Sequence, residues 1–286
     1  MSTRLVIFDF DGTLTDIVAE GRQFEAAYTR AVRELFGAVR LPAWRQALAS
    51  VVAEAPELGW DMGSGATAPG DADPYITATL ALARFARAER LPILGSEEPA
   101  HEAVRSALGG ALYHAAYAEI TPTFRPEARR VIEEVAGRVP HVRIVTNSST
   151  AKVTEKLAHL SLSVQVQVDG DARKFEVSEP SSNLSAMAGV PVWWRLPSLQ
   201  RPILPRRGRY FDVLSRVWSE TGTTPAETLV VGDIVELDLV LPALLGAAVH
   251  YVERPRGHAY EAEVLAELGS RGGTSPTLEG VLERLD

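Results

Sequence analysis

Two aspartates, Asp9 and Asp11, stand two residues apart just after the apolar run Leu5-Val6-Ile7-Phe8, and Gly12 and Thr13 follow them. Four large apolar residues in a row read as a buried strand. Both carboxylates are therefore delivered where that strand ends, and Gly12 lets the chain turn sharply there. Like charges gathered in apolar surroundings are costly unless a positive group joins them, and a divalent metal ion is the obvious partner. A second acidic pair, Asp233 and Asp238, follows the run Leu229-Val230-Val231-Gly232. A third run, Val142-Arg143-Ile144-Val145, ends in Thr146 and Asn147. An Asp-rich turn can also be a helix cap or a solvated loop. Open parallel sheets, however, collect ligands and catalytic groups at their strand ends.

The elements that must position these residues follow from hydrophobic patterning. The three runs above, with a fourth at residues 247–252, read as parallel strands. Between them lie helical patterns: about 127–139 with Pro126 at its start, a segment carrying Val153, Leu157 and Leu160 capped by Ser149 or Thr150, and 210–220 ending at Gly222. Strand alternating with helix predicts an α/β fold with a doubly wound parallel sheet. Residues 17–120 differ. They show helical stripes such as Phe24, Ala27, Tyr28, Ala31 and no convincing strand, which predicts a helical domain inserted after the first strand, interrupted by a Gly-, Ala- and Asp-rich loop at 59–73. The expected organisation is a core of residues 1–16 and 121–286 with the insert at 17–120. Within the core, the proline-rich stretch 178–205, with Trp193 and Trp194, reads as an irregular insertion, hairpin or flap.

Composition narrows the class. The 286 residues carry a formal charge of −8, which argues against general nucleic-acid binding. No apolar run approaches the ~20 residues of a membrane span, the N-terminus enters a strand with no signal-peptide pattern, and a cytoplasmic, non-membrane protein is expected. With no cysteine there is no thiolate nucleophile or zinc–thiolate site. The six histidines show no metal-ligand spacing, and Glu236 is expected to face solvent. Lysine occurs only at 152, 156 and 174.

In the order of these motifs the chain resembles the haloacid dehalogenase-like (HAD) hydrolase superfamily, in its phosphatase branch. Asp9-Phe10-Asp11-Gly12-Thr13 fits the family's first motif, Thr146 the second, and Gly232-Asp233 with Asp238 the fourth. The helical insert falls where the family often carries a cap domain on its Rossmann-like core. The resemblance implies a Mg²⁺-dependent phosphatase acting on a small phosphorylated metabolite. Asp9 would be the nucleophile, forming an aspartyl phosphate, and Asp11 the general acid and then base. Mg²⁺ would be held by Asp9 and Asp233 through side chains and by Asp11 through its carbonyl, with Asp238 supporting the site directly or through water. Thr146, with Asn147, Gly12 and Thr13 in the adjoining loops, would bind phosphate oxygens.

The family's third motif, a Lys followed by Pro, is absent. Two residues could supply its positive charge. Lys174 follows a strand-like run at 164–168 and is the preferred candidate. Arg207 lies just before the helix that leads to Asp233, and its guanidinium could hold phosphate in bidentate fashion. Other readings stay open: a sugar phosphomutase sharing the first chemical steps, or a non-catalytic binding protein with a degenerate third motif. Dehalogenases of the superfamily do not retain the second aspartate, so Asp11 argues against that chemistry. Specificity would come from the insert and mobile loops.

Overall fold

The computed structural model of the chain describes residues 2–92, 95, 101–181 and 184–285. In chain order, strand β1 (Leu5–Phe8) is followed by helices α1 (Ile17–Phe36) and α2 (Leu41–Glu54), short strands β2 (Gly59–Asp61) and β3 (Ala66–Pro69), and helices α3 (Pro74–Ala88) and α4 (Glu102–Tyr117). Then come α5 (Ala128–Arg138), β4 (His141–Val145), α6 (Thr150–Ala158), β5 (Gln167–Asp169), β6 (Trp194–Leu196), β7 (Leu199–Ile203) and α7 (Gly208–Thr221). The chain ends with β8 (Thr228–Gly232), α8 (Val240–Leu244), β9 (Ala248–Val252), α9 (Ala259–Glu267), β10 (Gly272–Ser275) and α10 (Gly280–Glu283).

Six strands form one sheet in the order β10-β9-β8-β1-β4-β5, with every pairing parallel. The chain runs outward from β1 through β4 to β5, then returns to β8 on the other side of β1. That reversal places the topological switch between β1 and β8, the position where open α/β sheets bind ligands beyond their carboxyl ends. All four residues of β1 are buried, as expected of a central strand covered on both faces. Alternation sends Leu5 and Ile7 toward Leu214, Val240 and Val264 of α7–α9, and Val6 and Phe8 toward Val131, Val153 and Val281 of α5, α6 and α10. Each such side chain contributes about 1.5–3 kcal/mol by burial, so the position of Asp9 is fixed by one of the best-packed segments of the molecule.

Two compact units are distinguishable. The first comprises Met1–Asp16, Asp61–Ala68 and Phe124–Asp286; the second comprises Ile17–Trp60 and Pro69–Thr123. The second is a cluster of α1–α4 around Phe24, Tyr28, Trp44 and Phe85. The Tyr28 and Trp44 rings stack at 5.5 Å, and Trp44 Nε1 donates to Thr29 Oγ1 at 2.9 Å. The insert departs from its expected plan at one place. Residues 59–73 are not simply a loop but carry β2 and β3, and 61–68 cluster with the first unit. The boundary at 121 shifts to Phe124, whose neighbour Arg125 is hydrogen-bonded to Leu14 O.

The stretch 178–205 holds the antiparallel hairpin β6–β7. Leu196, Leu199 and Ile203 pack into the core of the first unit with Phe211, while Trp193 stays exposed. Strand β10 has the sequence Gly-Gly-Thr-Ser and no strand pattern. It forms because Gly272 admits the backbone of α9: a Cβ there would lie 2.5 Å from Leu265 O. Among the described residues no helix is long and apolar enough to cross a membrane.

Candidate active site

The carboxyl ends of β1, β8 and β4, and the loop after β5, converge on one acidic cluster. Asp9 leaves β1 with its N–H still bonded to Val231 O of β8 at 2.8 Å. Gly12 then turns with φ +89°, and a Cβ on it would lie 2.3 Å from Asp233 Oδ2. Glycine thus serves both the turn and the close approach of the two loops. The turn is held by Thr15 Oγ1, which accepts from Gly12 N at 2.9 Å, and by Arg125, whose Nε and Nη2 donate to Gly12 O at 3.2 and 3.0 Å. Thr13 Oγ1 lies 3.2 Å from both Asp9 Oδ2 and Asp233 Oδ1, so its single proton is shared between them.

Asp238 enters from a π-helical turn, Val235–Leu239, a geometry frequent at functional sites. Its Oδ2 accepts from Ile234 N at 3.0 Å. Its Oδ1 accepts from Lys174 Nζ at 2.8 Å, and the same ammonium donates to Asp9 Oδ1 at 2.6 Å. Lys174 is held from behind: its backbone N–H donates to Asn147 Oδ1 at 2.7 Å, and Nζ sits 5.4 Å from the Tyr210 ring centre. Tyr210 in turn donates to Asp238 O at 2.9 Å. Thr146 is buried beside this loop, its backbone paired with Asp169 O and Ala172 N, and its hydroxyl accepts from Ser148 N at 3.1 Å.

Ligand oxygens of Asp9, Asp233 and Asp238 lie within 4.8 Å of one another. The Lys174 ammonium is shared by Asp9 and Asp238, while the positive charges that act on Asp233 are those of Arg254 and Arg125. Burial, and next the charge of Asp238, push the Asp9 carboxyl up to about 7 against the pull of Lys174. Burial, then Asp238 and Asp9, push Asp233 well above the usual carboxylate range, although Arg254 and Arg125 oppose this. Burial disfavours the Lys174 ammonium too, but Asp238 and Asp9 outweigh it and raise its pKa. Asp233 Oδ2 is buried and has no hydrogen-bond partner among the described residues. A buried carboxylate oxygen without a donor, beside two further carboxylates, is the donor chemistry of a hard divalent cation.

The predicted residues divide into three groups. Asp9, Thr13, Asp233, Asp238 and Lys174 meet in the cluster, and Gly12 and Asn147 shape it through the backbone of their neighbours. Asp238 accepts from Lys174 on Oδ1 and from Ile234 N on Oδ2, and it belongs with Asp9 and Asp233 to the acidic trio. The Asp11 side chain is bonded outside the cluster, beside Asp9: Oδ2 accepts from Ser148 Oγ at 2.7 Å and Oδ1 from Lys156 Nζ at 3.3 Å.

Arg207 has no bond to the cluster. Fully buried, it donates to Phe175 O at 3.1 Å and Thr67 O at 3.2 Å, and its Nε has no partner among the described residues. Burial pulls its pKa down to about 10; Glu236 works against this and Arg201 with it. The expectation that Glu236 faces solvent is also corrected. It is 1% exposed, bound by Arg201 at 2.9 and 2.6 Å and by Tyr260 OH at 2.9 Å. Ser148, Lys156 and Arg125 were not singled out by the sequence. The scarcity of lysine, with one of three falling in the helix after Thr146, was the signal for Lys156.

No curated protein matches the chain. Among solved structures, a putative HAD-hydrolase YfnB from Bacillus subtilis bound to magnesium is similar at 14% identity, covering 100% of each chain with a TM-score of 0.55. A predicted phosphoglycolate phosphatase from Haemophilus somnus is similar at 15% identity, covering 100% of this chain and 99% of its own, with a TM-score of 0.54. A 2-haloacid dehalogenase from Pseudomonas syringae, 13% identical over 99% of this chain and 98% of its own, has a TM-score of 0.45. At these identities the first two, with TM-scores of 0.55 and 0.54, show the fold alone. The profile of the haloacid dehalogenase-like hydrolases matches residues 3–240, most of the chain, and the protein belongs to that family.

Proposed function

We propose that the protein is a Mg²⁺-dependent phosphatase that hydrolyses a small phosphate ester through an aspartyl-phosphate intermediate. The observation that carries this reading is the separation of two nearby carboxylates into unlike surroundings. Asp9 sits in the buried cluster against Lys174, whereas Asp11, two residues on, is a quarter exposed and held by Ser148 and Lys156. Paired carboxylates in different environments suit a division of labour between nucleophile and acid/base. A dehalogenase has no use for the second one.

Asp9 attacks phosphorus while Asp11 gives a proton to the leaving oxygen, splitting one displacement into two steps. Asp11, now ionised, takes a proton from the water that cleaves the aspartyl phosphate. Lys174 neutralises the nucleophile and the incoming phosphate, and Asp238 keeps the ammonium in place. The Thr146 hydroxyl and neighbouring backbone N–H groups bind phosphate oxygens. Bound by Asp9, Asp233 and the Asp11 carbonyl, Mg²⁺ would supply charge neutralisation between carboxylate and phosphate. The similar Bacillus subtilis structure is described as bound to magnesium, which supports that choice. The helical unit is proposed to act as the cap.

The test is phosphate release from an aryl phosphate and a panel of metabolite phosphates, with Mg²⁺ or with a chelator, for the native protein and Asp9→Asn. Release that needs Mg²⁺ and drops by roughly 10⁴-fold or more in the variant, as losing a covalent nucleophile does, is the expected result. Turnover retained by Asp9→Asn would remove the covalent mechanism.

A further inference from the structure

Resting on the phosphatase reading, we propose that Ser148 and Lys156 are positioning residues that hold the Asp11 carboxylate for proton transfer to the leaving group. Each oxygen of Asp11 has its own donor, Ser148 Oγ at 2.7 Å on Oδ2 and Lys156 Nζ at 3.3 Å on Oδ1. One contact would leave the carboxylate free to swing about it; two fix both its place and its plane. The donors come from different elements. Ser148 lies in the loop after β4, two residues from Thr146, and Lys156 lies on the second turn of α6. That helix is anchored by buried Val153 and Leu157, which fixes the backbone from which Lys156 projects. Its side chain is 12% exposed, and its ammonium lies 5.6 Å from the ring centre of Phe10, the fully buried residue between the two aspartates.

The chemistry gives this pair a specific signature. In the first step the Asp9 oxygen forms a bond to phosphorus, the ester P–O bond breaks, and the proton of Asp11 passes to the departing oxygen. In the second step water adds to phosphorus, its proton passes to Asp11, and the Asp9–phosphorus bond breaks. A poor leaving group needs the proton; a good one departs without it. kcat/KM reports only events up to departure of the leaving group, so it isolates the acid step from water activation.

The experiment measures kcat/KM for phenyl phosphate and 4-nitrophenyl phosphate with the native protein, Ser148→Ala and Lys156→Met. Rescue variants Ser148→Thr and Lys156→Arg are run beside them, and Asp9→Asn serves as control. General acid catalysis contributes about 10²–10⁴-fold. The positioning variants are therefore expected to lose at least ~10-fold more on phenyl phosphate than on the nitrophenyl ester, with rescue in Lys156→Arg and Ser148→Thr. Equal losses on both esters, as a general structural defect gives, would overturn the proposal; so would unchanged values. If the native protein releases phosphate from neither ester, or Asp9→Asn keeps its rate, the phosphatase reading itself fails and this inference falls with it.

Discussion

Lys174 and Arg207 are both cations sealed in the first unit, 1% and 0% exposed, and their surroundings treat them in opposite ways. Lys174 is met by two carboxylates at 2.6 and 2.8 Å, which outweigh its burial and favour its charge. Arg207 is met by two carbonyl oxygens, and burial prevails, drawing it down to about 10. Burial alone therefore says nothing about role. A buried cation facing carboxylates that carry an excess of negative charge stands at an electrostatic centre. One bonded to carbonyls joins pieces of backbone, here the loop after Lys174 and the 61–68 segment.

The sharpest way to break this contrast is to remove the ammonium. Lys174→Met leaves Asp9 and Asp238 facing each other in a buried site. Loss of one well-placed electrostatic group costs about 10²–10³-fold in kcat, and breaking a buried pair costs about 3–5 kcal/mol of stability. Steady-state kinetics on an aryl phosphate, beside a denaturant melt, should show both. A kcat equal to that of the native protein would move the phosphate-neutralising group elsewhere.

What the sequence made legible depends on how local the physics is. Strands β1, β4, β8 and β9 are buried on both faces and read as apolar runs. Asp9 and Asp233 stand at their ends and were placed by strand boundaries alone. Strand β10 was invisible, because a Gly-Gly edge strand is selected by the approach of α9 and not by its own side chains. Chain order favoured Lys174 and left Arg207 as an alternative. It fixes where the backbone passes but not that Asn147 Oδ1 turns the Lys174 loop inward. The meeting of Asp11 with Ser148 and Lys156 spans 137 and 145 residues, and no periodicity encodes it. The same holds for residues 61–68, whose membership rests on contacts such as Thr67 O with Arg207 and Gly65 with Leu204. Without the proline that follows the family's lysine, Lys174 differs in sequence from a surface lysine by its place in the chain alone; its partners are tertiary.

Removing the other cation sharpens the contrast from its opposite side. In Arg207→Met the carbonyls of Phe175 and Thr67 lose donors, at about 0.5–1.5 kcal/mol each. The sum is a loss of roughly 2 kcal/mol in a denaturant melt. Because no bond runs from Arg207 to the carboxylates, kcat should stay within a few-fold of native when assayed well below the melting temperature. A collapse of kcat in a variant that remains folded would give Arg207 the role assigned to Lys174.

The smallest expected effect extends the rule to a buried base with no carboxylate at all. His250 in β9 is 2% exposed; Nε2 pairs with Ser275 Oγ at 2.7 Å, and Nδ1 has no partner among the described residues. Burial, with Arg284 adding to it, lowers its pKa to about 4 from an ordinary 6.5. The imidazole is thus neutral in the folded protein where the unfolded chain would bind a proton. The sign follows: stability is full above about pH 6.5, falls as pH drops toward 4, and levels off below that for this group. Between pH 6 and 5 the slope should approach ~1 kcal/mol per pH unit. Denaturant melts across that range, for the native protein and His250→Gln, isolate the contribution. A native slope no steeper than that of the variant would mean that His250 keeps its proton in the fold and that burial without a carboxylate does not strip charge here, which would weaken the account of Arg207 as well.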